Sequence, residues 1–230
     1  MSEAGGLAAT LGEIDWRPVW ISLRVATAAT FISVILGALL GYGLSRRRLP
    51  ARRLVQAFVL LPLLLPPTVL GYYLLVIIGR EGPVGRIWES FFGAPLVFTP
   101  SAAVLAACVA TIPIVTAQLS AAFATVDREV VEAAKLAGAG AWPLFLNIYV
   151  PQIRGPLTAA ASIAFARAVG DFGTTLMVAG SLPGRTQTAS LAIYDLIAEG
   201  KQSHALVLVV LISVVALVVL VLASGRREAV

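Results

Sequence analysis

Reactive side chains are almost absent from this sequence. Its one cysteine, Cys108, lies inside an apolar run, which excludes an intrachain disulfide and any thiol or metal cluster. The only lysines are Lys135 and Lys201, and neither sits in a GxxxxGK[ST] frame, so the chain has no P-loop for ATP. No HExxH, paired-cysteine or nucleophile-base constellation is present, and the single His204 falls at the edge of an apolar segment, where an interfacial role is expected. The chain is therefore not expected to be an enzyme by itself. Charge is scarce as well: 13% of residues are charged, against about 25% in soluble domains. The net charge of +5 does not point to nucleic acid, because the basic residues cluster beside apolar segments, as orientation signals do.

Apolar sequence fills the space. Hydrophobic residues make up 59% of the 230, and the mean hydropathy is +0.91, which defines an integral membrane protein. The first residues, MSEAGGLAATLGEIDW, open with acids instead of a basic region, and the apolar stretch that follows is too long for a signal-peptide core, so this segment is expected to stay in the mature chain.

About five spans are expected, at residues 19–44, 54–78, 96–123, 157–179 and 205–223 of a single transmembrane domain, 1–230. Gly37 and Gly41 in the first form a GxxxG pair that suits close helix packing. The second contains Pro62, Pro66 and Pro67, which must kink or break it, as a buried structural bend or as part of a gate. The fourth is dense in Ala and Gly and carries Arg167 and Asp171, four apart and so on one helical face. Charges at that depth must pair or face water, which leaves a structural ion pair and a place beside a transported solute as the two readings. Thr174 and Thr175 add hydroxyls that either line a route for an anion or bond their own backbone. Residues 191–197 are apolar but too short to span, and residues 187–199 read as re-entrant or interfacial.

Orientation follows from the arginines. Arg46, Arg47, Arg48, Arg52 and Arg53 form one short loop without an acid, and on the five-span arrangement ten basic residues fall inside against five outside. The N-terminus is therefore expected outside and the C-terminus in the cytoplasm.

Between spans three and four lies a polar, helix-prone island, residues 125–151. Asp127 suits a helix cap and Glu129 its first turn, and Val130, Ala133, Ala134 and Ala137 are expected to form its apolar face. Gly138 and Gly140 should stop this helix, Pro143 should open a second, and Pro151 should limit that one. Too short and polar to span, the island should stand outside the bilayer as a knob.

Glu132, Ala133, Ala134, Gly138, Ile148 and Pro151 occupy the fixed positions of the EAA signature of ABC importer permeases, with Val150 in place of the usual Leu. Beyond the loop, Leu60–Leu75 (LLPLLLPPTVLGYYLL), Gly79–Gly85 (GREGPVG), Phe165–Gly180 (FARAVGDFGTTLMVAG) and Pro183–Thr188 (PGRTQT) resemble the permease subunits of molybdate importers, with Asp171 where many relatives have Glu. The resemblance covers most of residues 20–222. It implies an all-α type I importer permease in the bacterial inner membrane, whose EAA loop is a cytoplasmic coupling helix docking a separate ATPase. It also implies a second copy of the chain, two ATPase subunits that bind ATP-Mg, surrounding membrane lipids, and a periplasmic or lipid-anchored oxyanion-binding protein. Tungstate and sulfate or thiosulfate permeases share these features and stay open, as does a self-contained channel or ion-coupled transporter, although no internal repeat is evident.

Overall fold

A computed structural model describes residues 12, 14–45 and 51–224. Among them every regular element is helical. We number these α1 (Arg17–Ser45), α2 (Arg52–Leu64), α3 (Pro67–Ile78), α4 (Pro83–Phe92), α5 (Pro100–Ala124), α6 (Arg128–Leu136), α7 (Ala141–Leu144), α8 (Val150–Gln152), α9 (Arg154–Val169), α10 (Gly173–Ala179), α11 (Ala189–Ala198) and α12 (Gln202–Ser224); a π-helical turn, Phe145–Tyr149, joins α7 to α8. In hydrocarbon the backbone must satisfy its own polar groups, and an all-helical chain does so.

Helices α1, α5 and α12 are each long and apolar enough to cross a membrane alone. Helix α5 is the centre of the bundle, contacted by α1, α2, α9 and α10. Its buried stripe of Ala102, Ala103, Ala106, Ala107 and Ala110 lets neighbours approach closely. Helix α1 answers with Ser22, Val25, Ala26, Ala29, Ser33, Gly37 and Gly41, all buried on one face. A Cβ on Gly37 would fall 2.6 Å from Val115 Cγ1, and one on Gly41 would fall 2.9 Å from the Ser120 backbone nitrogen, so at the GxxxG pair these two helices approach too closely for a side chain. Above it the hydroxyls of Ser33 and Thr111 share a hydrogen bond of 2.7 Å.

Two of the expected spans are broken. The stretch 54–78 is not one helix: α2 and α3 meet at an angle of 115° across Leu65 and Pro66. Pro66 and Pro67 lack amide protons, so the ladder cannot continue through them, whereas Pro62 is carried inside α2. The stretch 157–179 is divided at Gly170–Phe172 into α9 and the short α10. The third span starts later than residue 96, because Pro100 takes the first helical position behind Thr99, whose hydroxyl accepts the Ala102 amide at 3.3 Å. Helix α4, between the second and third spans, has no counterpart in the sequence reading. Its signals were local, Pro83 in the first turn and Gly93 in a left-handed cap at φ 66°.

The half-helices α3 and α10 pack on each other. A Cβ on Gly71 would lie 2.5 Å from Met177 Cβ, and one on Gly173 would lie 2.8 Å from Pro67 Cβ. The segment 181–188 folds back over this region: buried Thr186 accepts the Leu182 amide and donates to the Gly180 carbonyl, while Ser181 and Gln187 both donate to Asp195. Helix α11 then lies against α1 and α12, with Leu191 and Ala192 buried and the Ala189 amide donating to Ser22 Oγ at 2.8 Å.

Candidate functional site

Two places concentrate the polar residues singled out by sequence: the island after α5 and the break between α9 and α10.

The island folds as helix, glycine turn, helix. Asp127 caps α6 by accepting the Glu129 amide at 2.8 Å, with Glu129 in the first turn and Lys135 in the last, the signs that suit the helix dipole. Gly138 adopts φ +84°, a conformation that a side chain would strain. The second helix opens at Ala141, two residues before Pro143, and its last turn runs one residue past Pro151, to Gln152. A proline ring clashes with the carbonyl four residues earlier, and widening the preceding turn relieves that clash. The π turn Phe145–Tyr149, in which the Val150 amide reaches back to the Phe145 carbonyl, lies directly before Pro151. The Asp127 amide donates to Gln152 Oε1 at 3.2 Å, so the first and last residues of the segment are tied together.

The buried face of α6 is Val131 with half-buried Ala134, not the expected set of Val130, Ala133, Ala134 and Ala137. Val131 packs with Leu144, Phe123 and Ile153, so the segment is seated on α5 and the start of α9. Tyr42 lies edge-on to Phe123, Phe145 and Tyr149, with ring centroids 5.4, 5.6 and 5.1 Å away, and so adds α1 to this seat. The signature residues divide accordingly. Ala134 and Ile148 pack inward, whereas Glu132, Ala133, Gly138 and Pro151 are exposed. Two large apolar residues that the signature omits stand out beside them: Leu136 is 91% exposed and Trp142 69%, Trp142 stacking on Phe145. A large side chain on the polar side of a capped helix was the available signal for Leu136.

At the break, Asp171 is 2% exposed and fully engaged. Its Oδ1 receives Arg167 Nη1 at 3.1 Å, and its Oδ2 receives both the amide and the hydroxyl of Thr175, at 3.1 and 2.7 Å. The carboxylate therefore ends α9 and opens α10 at once, meeting a first-turn amide that would otherwise be orphaned. The Arg167 side chain is 38% exposed, so the pair has one buried and one open member. Thr174 is buried against α3, its hydroxyl 3.5 Å from the Pro67 carbonyl. Both threonine hydroxyls are thus directed into the protein in this conformation, and of the four residues only Arg167 presents a polar group outward. No group of His, Cys, Asp and Glu suited to a metal occurs among the described residues.

Long apolar helices, two spans broken part-way and a folded polar segment after α5 are features of a multi-pass membrane protein. The chain belongs to the family of binding-protein-dependent transport system inner membrane components, whose profile matches residues 33–227. A relative from Bacillus subtilis (strain 168) is 38% identical over 212 residues, covering 92% of this chain and 93% of its own. The molybdenum transport system permease protein of Azotobacter vinelandii is 36% identical over 185 residues, covering 80% and 82%. Among solved structures, a chain of the methionine ABC transporter in an inward-facing conformation superposes with a TM-score of 0.72 over 93% of this chain and 94% of that one, at 18% identity, a likeness of fold.

Proposed function

We propose that this chain is the membrane subunit through which an ATP-driven importer passes molybdate into the cell. The single observation that carries the coupling half of this reading is the closed segment 127–152, which seats its own core on α1, α5 and α9 and holds Leu136, on a charged helix, and Trp142 outward. An exposed apolar patch rimmed by charge is the form of a docking surface. In this reading a cytoplasmic ATPase, which supplies ATP-Mg and its hydrolysis, docks at Glu132, Ala133, Leu136, Gly138, Trp142 and Pro151. Ala134 and Ile148 hold the segment's shape. The assembly pairs two copies of this chain with two ATPase subunits, and a periplasmic or lipid-anchored oxyanion-binding protein delivers the solute on the opposite side. The N-terminus lies outside and the C-terminus in the cytoplasm, in keeping with the arginine asymmetry.

The relatives' name for their cargo supports molybdate. For the route, Arg167 is the favoured residue: its guanidinium is half-open, and Asp171 offsets its charge, so an anion meets attraction weak enough to release. Thr174 and Thr175 support that position from behind. Uptake of molybdate, tungstate and sulfate in cells co-expressing the ATPase and binding protein tests the whole reading. Molybdate accumulation that requires this chain is expected, and accumulation unchanged by its deletion would overturn the proposal.

A further inference from the structure

A cavity of about 250 Å³ lies between α2 and α5, at the end of the bundle that carries the coupling segment. Arg52 and Gln56 line it from α2, and Thr116 and Ser120 from α5. Each pair is spaced one helical turn apart, so two polar strips share one space between otherwise apolar helices. A second cavity of about 330 Å³ adjoins it, sharing Arg52 and Ala124 and reaching Ser45, Arg128 and Tyr149. No carboxylate lines either cavity among the described residues.

Two buried atoms in the first cavity have no hydrogen-bond partner among the described residues: Arg52 Nε and Thr116 Oγ1. Thr116 is 1% exposed, so its hydroxyl is hidden from bulk solvent. Native interiors leave few such groups unmet, least of all a guanidinium donor, and two of them on one cavity point to a ligand that accepts from both. An acceptor suited to a guanidinium fork, to hydroxyls and to an amide, in a space without carboxylates, is an oxyanion. The start of α2 adds to this, since Arg52 is its first residue and no side chain caps that turn.

We infer that the space between α2 and α5 is an oxyanion-binding site, formed by Arg52, Thr116, Ser120 and Gln56 and entered past Arg128. Its occupant is a tetrahedral inorganic oxyanion or the phosphate of a lipid headgroup. The site goes beyond the reading above, which uses none of Arg52, Thr116 and Ser120, and its test needs neither the ATPase nor transport. Failure of uptake and failure of this site are therefore separate results.

The test uses the full chain purified and delipidated in dodecyl maltoside, a detergent that carries no phosphate. In one arm, molybdate or inorganic phosphate is equilibrated by dialysis and bound anion is counted by mass spectrometry; in the other, phosphatidylglycerol is added and retained lipid is counted. Wild type is expected to bind about one anion per chain, with affinity about tenfold lower in Arg52→Gln, as loss of one charged hydrogen bond implies. Thr116→Val, nearly isosteric and so the safer variant for folding, is expected to weaken binding several-fold. Binding in the first arm assigns an inorganic occupant, and retention in the second alone assigns a lipid phosphate. Equal binding by wild type and Thr116→Val in both arms, or no binding by wild type in either, overturns the site.

Discussion

Gly173 rests on Pro67: a Cβ added to the glycine would lie 2.8 Å from that of the proline. The residue that opens α10 thus touches the residue that opens α3, and the breaks in two spans share one contact. Gly173→Val should force these half-helices apart at a cost of about 1–3 kcal/mol, the usual range for overpacking. Thermal unfolding of the purified protein measures it, and a midpoint equal to that of wild type would contradict the contact.

The GxxxG pair should be equally intolerant. Because a Cβ on Gly41 would meet the Ser120 backbone at 2.9 Å, Gly41→Leu should lower the unfolding midpoint more than Gly93→Ala, whose Cβ meets nothing within 4 Å but whose φ of +66° carries a strain of its own. Side-by-side melts of the two variants would show whether lost packing outweighs backbone strain of about 1–2 kcal/mol.

Asp171 and Arg167 should be coupled but unequal. Removing Asp171 strands a cation and uncaps α10, whereas removing Arg167 leaves the carboxylate its two bonds to Thr175. Asp171→Ala should cost about 1–3 kcal/mol, because it leaves the Thr175 amide and hydroxyl without their acceptor while the cation it strands is half-open; Arg167→Ala should cost less, and the double change less than the sum. Additive losses in a double-mutant cycle would argue against pairing. On the same geometry, Thr175→Val should destabilise more than Thr174→Val, by about 1 kcal/mol for a lost buried hydrogen bond.

At the knob, Leu136→Ser and Trp142→Ser should leave the melting midpoint near wild type, since both side chains are exposed, yet reduce ATPase co-purification and uptake. Glu132→Lys should act in the same way. Gly138→Asp combines a docking change with the strain of a side chain at φ +84°, so its stability should fall by about 1–2 kcal/mol as well. Undiminished co-purification with Leu136→Ser and Glu132→Lys would place the docking surface elsewhere.

Much of the helical layout and the capped island could be read in advance, because long apolar runs, Asp127 and Gly138 each act locally. The face that α6 buries could not: Val131 turns inward because Phe123, Leu144 and Ile153 surround it, and those neighbours come from three other segments. The fate of the prolines was legible only by half. Pro66–Pro67 breaks its span while the single prolines Pro62 and Pro113 sit inside helices, since two prolines in succession remove two donors and the first is held extended by the second, at ψ 142°. The spacing of Arg167 and Asp171 forecast their contact through a continuous helix, but the pair forms across the end of one, with Thr175 as the third member that spacing alone did not bring in.

Tyr42 is wedged among Phe123, Phe145 and Tyr149, and closed ring packing of this kind resists shear. Leu136 and Trp142 therefore stand on a segment held by ring packing at its base, whose two ends are also pinned together by Asp127 and Gln152. The ring cluster thereby braces the segment against the last turns of α1 and α5, next to the glycine crossing at Gly37 and Gly41.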